Sequence, residues 1–419
     1  MLAKITQKRI IESHKRLPVL VAGLLIMVFL VAACGGSSAT AEPTTAPSSN
    51  EEKPTVSATK SAESMSNRKV GGAVGNIAPE FGGVDAWINS EPLTMAELRG
   101  KVVLVDFWTY TCINCIRTFP YLKQWYSRYE DDGLVIVGVH TPEFEFEKIY
   151  DNVVNATVDD ALVWPMAQDN DYVTWRSYSN RFWPAKYLID KDGIVRYTHF
   201  GEGAYAETEE VIRELLAEAD PEFLSKSLPL PKDQTLDPAF LATRNAEVTR
   251  ELYGGYERGQ GDLLYGGGGY VSQVEYFETQ NEVFDFSING DLEPHKIYFQ
   301  GPWNIGPESS THGRTTESFE DYLAMTYSAT SVNAVLTSDS GEPYKVRLKV
   351  DGKYLTEDNK GSDVMIGDNG ESYLWVTSPT LYNVISNSAY VSGETLEMSS
   401  NSLDFGLFAF TFGVYSKES

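Results

Sequence analysis

Cysteine is scarce in this chain. Three occur in 419 residues, too few for a framework of structural disulfides. Histidine is almost as sparse, and His140, His199, His295 and His312 stand far apart, so the clustered ligands of a metal site are missing and neither metal nor cofactor is expected. Positive charge is in deficit: 34 Lys and Arg against 59 Asp and Glu leave a formal charge of -25, and no basic patch in the body points to nucleic acid as a partner. Hydrophobic residues are not lacking. At 42% of a chain long enough for two domains plus extras, they are compatible with large folded cores.

One long apolar run is present, from Leu17 to Ala33, and no multi-span region accompanies it. It follows a basic flank of Lys4, Lys8, Arg9, Lys15 and Arg16 and ends Leu30-Val31-Ala32-Ala33-Cys34, with small residues before the cysteine. This resembles the lipobox of bacterial lipoproteins, whose cysteine is lipidated and becomes the new N-terminus. An uncleaved membrane anchor and a plain secretory signal are the alternatives. All three place the rest of the chain outside the cytoplasm, and the first implies a lipid anchor on Cys34 in the bacterial cell membrane. Residues 35–70 are Ser, Thr, Ala, Pro and Glu with almost nothing bulky. Such a segment buries too little surface to offset its ordering entropy and reads as a disordered tether.

The other two cysteines carry the chemistry. Val102 to Trp108 is an apolar, β-branched run of strand length, followed by Cys112-Ile113-Asn114-Cys115 and by Ile116, Phe119, Leu122 and Trp125 at helical spacing. A helix starting at the cysteines would favour an anion on Cys112 through its unpaired N–H groups. Cys115 would then lie within reach of any mixed disulfide formed by Cys112, the geometry that thiol–disulfide exchange needs. Gly133 to Val139 reads as a second buried strand, and Ala185 to Asp190 with Ile194 to Phe200 as a hairpin. Glu207 to Ala219 reads as a closing helix. Residues 71–219 should therefore form an α/β domain, a mixed sheet covered by helices.

These features resemble the thioredoxin fold, and more closely the membrane-tethered thioredoxin-like group of TlpA and ResA types and the C-terminal region of DipZ. The matches are Asp106 six residues before Cys112, Trp108, the Cys-x-x-Cys pair, Pro120 where the family helix kinks, and Trp183-Pro184 at the family's cis-proline. The long stretch from Glu143 to Arg181 matches the insertion of the TlpA-like group. The resemblance implies a redox-active Cys112–Cys115 disulfide, Asp106 as proton acceptor for Cys115, and a substrate face made by Trp183, Pro184, Trp108, Ile113 and Asn114. It implies protein disulfides as substrates, a reductant's role as in cytochrome c maturation or envelope thiol homeostasis, and a separate membrane electron donor of the CcdA type. One departure stands out. Where many TlpA-like reductases carry glutamate three residues after the second cysteine, this chain has Thr118.

Other readings of the same residues stay open. Asp106 could be a hydrogen-bonding residue at a strand end. Glu143, after the second strand, is a candidate carboxylate on the rim of the site, and Arg117 is either a neighbour that acidifies a thiol or a solvated helix residue. A structural disulfide would close too short a loop to constrain the unfolded chain. A thiol peroxidase fits Thr109 three residues before Cys112, but Val105 stands where peroxiredoxins have proline.

Residues 220–238 hold four prolines and read as a linker, and residues 239–419 as an all-β, jelly-roll-like sandwich. Its strands are expected at Val283–Ser287, Lys296–Gln300, Tyr344–Val350, Ser372–Val376, Leu381–Ser386, Thr395–Met398 and Leu407–Val414. Tyr270, Tyr276, Trp303 and Trp375 either line a sugar or peptide groove or fill the core. A second function from another class follows from the first option: a surface lipoprotein that binds glycan or protein, with the thioredoxin-like domain as scaffold.

Overall fold

Val102–Trp108 is buried along its whole length because it lies in the middle of a sheet covered on both faces, which is why it reads as an unbroken apolar run. This computed structural model describes residues 68–223, 228–259, 269–338 and 340–416. The expected signal segment, Cys34 and nearly all of the tether lie outside the described residues. The N-terminal sheet contains β1 (Ala86–Ile88), β2 (Val102–Trp108), β3 (Leu134–His140), β4 (Met166–Gln168), β5 (Ala185–Ile189) and β6 (Val195–Phe200). Their order is β1-β4-β3-β2-β5-β6, with β2, β3 and β4 parallel and the others antiparallel.

The twofold alternation of β2 assigns its two faces. Val103, Val105 and Phe107 join Tyr178 and Tyr187 in one apolar cluster. Val102, Leu104 and Trp108 join Leu122, Trp125, Ile212 and Leu216 in the other, under the helices Phe119–Tyr129 and Tyr205–Ala219. Asp106 falls on that second face, the same one that receives Cys115.

The two helices are locked together by a buried carboxylate. Glu209 accepts hydrogen bonds from Trp125 Nε1 at 3.0 Å, Tyr129 Oη at 2.6 Å, Arg128 at 2.9 Å and Arg213 at 2.6 Å. Arg128 and Arg213 also donate to the Pro229 and Leu228 carbonyls, and the Asp233 carboxylate accepts from the Tyr205 N–H. The segment read as a linker is thus held against the domain it leaves.

The second sheet is antiparallel throughout. It comprises β7 (Leu252–Tyr253), β8 (Val283–Phe286), β9 (Ile297–Ile305), β10 (Ser310–His312), β11 (Tyr322–Thr337), β12 (Tyr344–Val350), β13 (Lys353–Tyr354), β14 (Met365–Ile366), β15 (Ser372–Val376), β16 (Thr380–Ser400) and β17 (Gly406–Gly413). Two long strands organise it. β11 pairs with β9 through its first residues and with β17 through its last, while β16 runs beside it for nearly its full length. β10 links β17 back to β9, so the pairing closes on itself around one apolar core. Register shifts near Tyr327, Ala329 and Val332 interrupt the β11–β16 ladder, as β-bulges do. The strands expected at Leu381–Ser386 and Thr395–Met398 are parts of the single strand β16. β11 itself was not among the strands expected.

Candidate functional site

Elements that share one end of the N-terminal sheet assemble the site. Cys112 caps the short helix Ile113–Ile116, its Sγ accepting from the Cys115 N–H at 3.2 Å. That helix breaks before Phe119–Tyr129, which has Pro120 in its first turn. Thr118, at the break, is buried and returns its hydroxyl to the Cys115 carbonyl at 2.8 Å. The same carbonyl also accepts from the Thr118 N–H at 2.9 Å, so Thr118 closes the end of the short helix through both its backbone and its side chain. Cys112 is partly exposed and Cys115 fully buried, and both are free thiols.

Beneath them, Asp106 is 1% exposed and its Oδ1 accepts no hydrogen bond. Its cross-strand partner in the β2–β5 register is Lys186, equally buried, whose Nζ lies 3.9 Å from Oδ1 and also makes no hydrogen bond. Burial pushes the Asp106 carboxyl up to about 6, with Lys186 pulling the other way. The Lys186 ammonium is pushed down by burial against the pull of Asp106. Burial, the contact with Cys112 and the charge of Asp106 hold the Cys115 thiol well above its ordinary range. The buried sulfur therefore keeps its proton until a base takes it.

Ala185 pairs with Phe107, so Pro184 lies beside the end of β2 from which the cysteine turn departs. The Trp183–Pro184 bond is cis, and Gly201 N–H donates to the Pro184 carbonyl at 2.8 Å. Trp183 is partly exposed, donates Nε1 to the Thr141 carbonyl at 3.0 Å and stacks obliquely on Trp175. Ile113 and Asn114 are partly exposed beside Cys112. Trp108 requires a correction. Expected on the substrate face, it is 1% exposed, because the alternation of β2 turns it inward with Leu104, where its ring meets Phe119 and His140. His140 is buried against Tyr110, and its ring is pushed down to about 3, so it stays neutral.

Two other residues picked from the sequence are engaged by distant parts of the chain. Arg117 is not solvated: it pairs with Glu202 at 3.3 Å, and its guanidinium lies 5.0 Å from the centre of the Tyr415 ring. A Cβ on Gly413 would fall 2.4 Å from Arg117 Nη2, so any larger residue there would displace the guanidinium. Glu143 is not on an open rim. Its carboxylate pairs with Arg258 and accepts from Tyr253 Oη at 3.0 Å, both from the C-terminal domain. Lys186, Glu202 and Glu147 were missed in the sequence. Only Lys186 left a signal there, as a lone charge in the apolar strand Ala185–Ile189. Of the four aromatics considered for a groove, Tyr276 and Trp303 are core, Tyr270 packs against it and only Trp375 is exposed.

Central strand, broken cysteine helix and cis-proline loop meeting at one sheet end belong to the thioredoxin-like class of thiol–disulfide oxidoreductases. Residues 74–198 match the AhpC/TSA family and residues 249–413 the thioredoxin-like C-terminal domain family. ResA of Bacillus cereus, a thiol-disulfide oxidoreductase, is 31% identical over 31% of this chain and 70% of its own. The chain belongs to this thiol–disulfide oxidoreductase family. DipZ of Mycobacterium bovis is 34% identical over 80% of this chain, which spans 43% of the DipZ length. A solved structure, the thioredoxin domain of a thiol-disulfide oxidoreductase from Bacteroides vulgatus, is 28% identical over 33% of this chain and 98% of that one, with a TM-score of 0.29.

Proposed function

We propose that this protein is a membrane-anchored, extracytoplasmic reductant of protein disulfides. The observation that carries the reading is the pairing of a partly exposed Cys112 with a buried Cys115 above a buried carboxylate poorly supplied with hydrogen bonds. The Cys112 thiolate attacks one sulfur of a substrate disulfide, whose S–S bond breaks, and the departing substrate thiolate takes up a proton. Cys115 passes its proton to Asp106, and the new thiolate attacks Cys112 Sγ. The mixed disulfide breaks, the second substrate sulfur leaves as a thiolate that takes up the proton Asp106 releases, and two electrons have moved from the dithiol to the substrate as the Cys112–Cys115 disulfide forms. Trp183-Pro184, Ile113 and Asn114 offer the surface against which an extended substrate lies.

The lipid anchor on Cys34 and the regeneration of the dithiol by a separate membrane donor of the CcdA type complete the reading. Cytochrome c maturation and envelope thiol homeostasis are the processes such a reductant serves. In cells, a Cys115→Ser variant is expected to accumulate covalent complexes through Cys112 that dithiothreitol releases, and fractionation should find them with the membrane. No trapped species, with wild-type phenotype retained in a Cys112→Ser/Cys115→Ser double variant, would instead favour a binding lipoprotein.

A further inference from the structure

We infer that Glu147 is a positioning residue for the cysteine turn and that the C-terminal β domain supports the dithiol through it by gripping the segment 142–148. This rests on the reading of Cys112 as the attacking thiol. Glu147 is fully buried in the 3-10 turn Glu145–Lys148, within the insertion that follows β3. Its Oε1 accepts from the Thr111 hydroxyl at 2.6 Å and faces the Thr111 N–H at 3.4 Å, and Thr111 immediately precedes Cys112. Its Oε2 accepts from the Phe144 N–H at 3.0 Å and from the Glu143 N–H. One carboxylate thus ties the residue before the nucleophile to the start of the insertion. A buried carboxylate is tolerated where its lone pairs are filled, and each donor it holds loses freedom in turn.

The far side of the same segment belongs to the β domain. Glu143 pairs with Arg258, which lies over the Tyr253 ring at 4.8 Å, and Tyr253 Oη lies between the carboxylates of Glu143 at 3.0 Å and Glu251 at 2.8 Å. The Glu145 N–H donates to Glu308 at 3.1 Å. The rings of Phe144 and Phe146 pack edge-on to Phe408 with centroids 5.1 and 4.8 Å away. The segment is therefore clamped between the cysteine turn and the second sheet, and Glu147 is the hydrogen-bonded link that crosses it, beside the ring contact of Tyr110 with Phe146 at 6.2 Å.

The groups facing Glu147 are Tyr110, Thr109 and Thr111 from the cysteine turn, Tyr172 from the approach to the helix Val173–Ser177, and Glu143 from its own segment, with Arg258 beyond Glu143 and Tyr172. Burial, then the charge of Glu143, push the Glu147 carboxyl up to about 7. Ionised, it accepts at both oxygens. Protonated, it gives up part of that capacity, and Glu147→Gln imitates this state at every pH.

The test measures iodoacetamide alkylation of Cys112 and reduction of insulin disulfides by the full-length chain between about pH 5 and 9, with circular dichroism to confirm folding. Wild type should exceed Glu147→Gln roughly tenfold above pH 7, since small misplacement of a reacting group costs at least that much, and the ratio should close towards one in acid. Thr111→Val, which removes one hydroxyl, should slow exchange in the same direction. The Thr111→Val/Glu147→Gln double variant should be no slower than the slower single one, because the two act through one bond. Arg258→Met should give a smaller loss of the same kind. A pH-independent ratio, or additive effects in the double variant, overturns the inference. If wild type itself neither alkylates at Cys112 nor reduces insulin, the redox reading fails and takes this inference with it.

Discussion

Two buried carboxylates in the N-terminal domain, Glu209 and Asp106, have opposite surroundings. Glu209 receives donors from Trp125, Tyr129, Arg128 and Arg213. Burial pushes its carboxyl up, but those bonds outweigh it and hold the group below its ordinary value. Asp106 has a lysine at 3.9 Å and no donor on Oδ1, and burial prevails. Depth alone does not decide what a carboxylate can do. A saturated one cements two helices, whereas a starved one is left with an affinity for protons near neutrality, as a base serving a buried thiol requires.

The contrast can be broken by exchanging the fates of the two groups. Glu209→Gln should cost about 3 kcal/mol in chemical denaturation, since it removes the charge that pairs with two mostly buried arginines, yet leave insulin reduction by the folded protein intact. Asp106→Asn should do the reverse. Exchange should fall about 100-fold at pH 7 as general-base assistance is lost, while stability should change less than in Glu209→Gln, because the gain from removing a poorly solvated charge is offset by the Lys186 ammonium left without its partner.

The pH dependence sharpens the same point. The Asp106 carboxyl titrates near 6 in the fold against 3.8 for the unfolded chain, so between these values the native state holds more protons and wild-type stability falls as pH rises. Denaturation midpoints should show that decline, to which the raised carboxyls of Glu147 and Asp169 add, and Asp106→Asn should lessen it relative to wild type. Glu209 has the opposite sign: its contribution is present at neutral pH and is lost as pH drops through its depressed folded value. The smallest expected effect belongs to Lys186→Met. Without the ammonium that pulls Asp106 down, the midpoint of the exchange rate should move up by about one pH unit.

What was legible in the sequence was local. The cysteine pair, the aspartate six residues before it and Pro120 in the turn after the helix break sit at short fixed offsets, and Trp183-Pro184 directly precedes β5. The inward turn of Trp108 was legible too, since it shares the parity of Leu104 on an alternating strand. Lys186, Glu202, Arg258 and Tyr415 meet the site across roughly 70 to 300 residues, and only the folded sheets bring them there. β11 escaped notice because it is buried on both faces and rich in Ala, Ser and Thr, which erases the alternation that exposed β12. The turn after β12 was plain: Asp351 and Gly352 both take positive φ, the geometry that an Asp-Gly pair favours in a tight hairpin.

The most direct measurement equilibrates the full-length chain in detergent against glutathione redox buffers and counts alkylated thiols by mass. Cys112 and Cys115 should disappear together in one two-electron transition, at a potential between roughly -270 and -120 mV, the span of this fold. Both thiols remaining alkylatable at the oxidising limit, or titrating one at a time, would contradict the account.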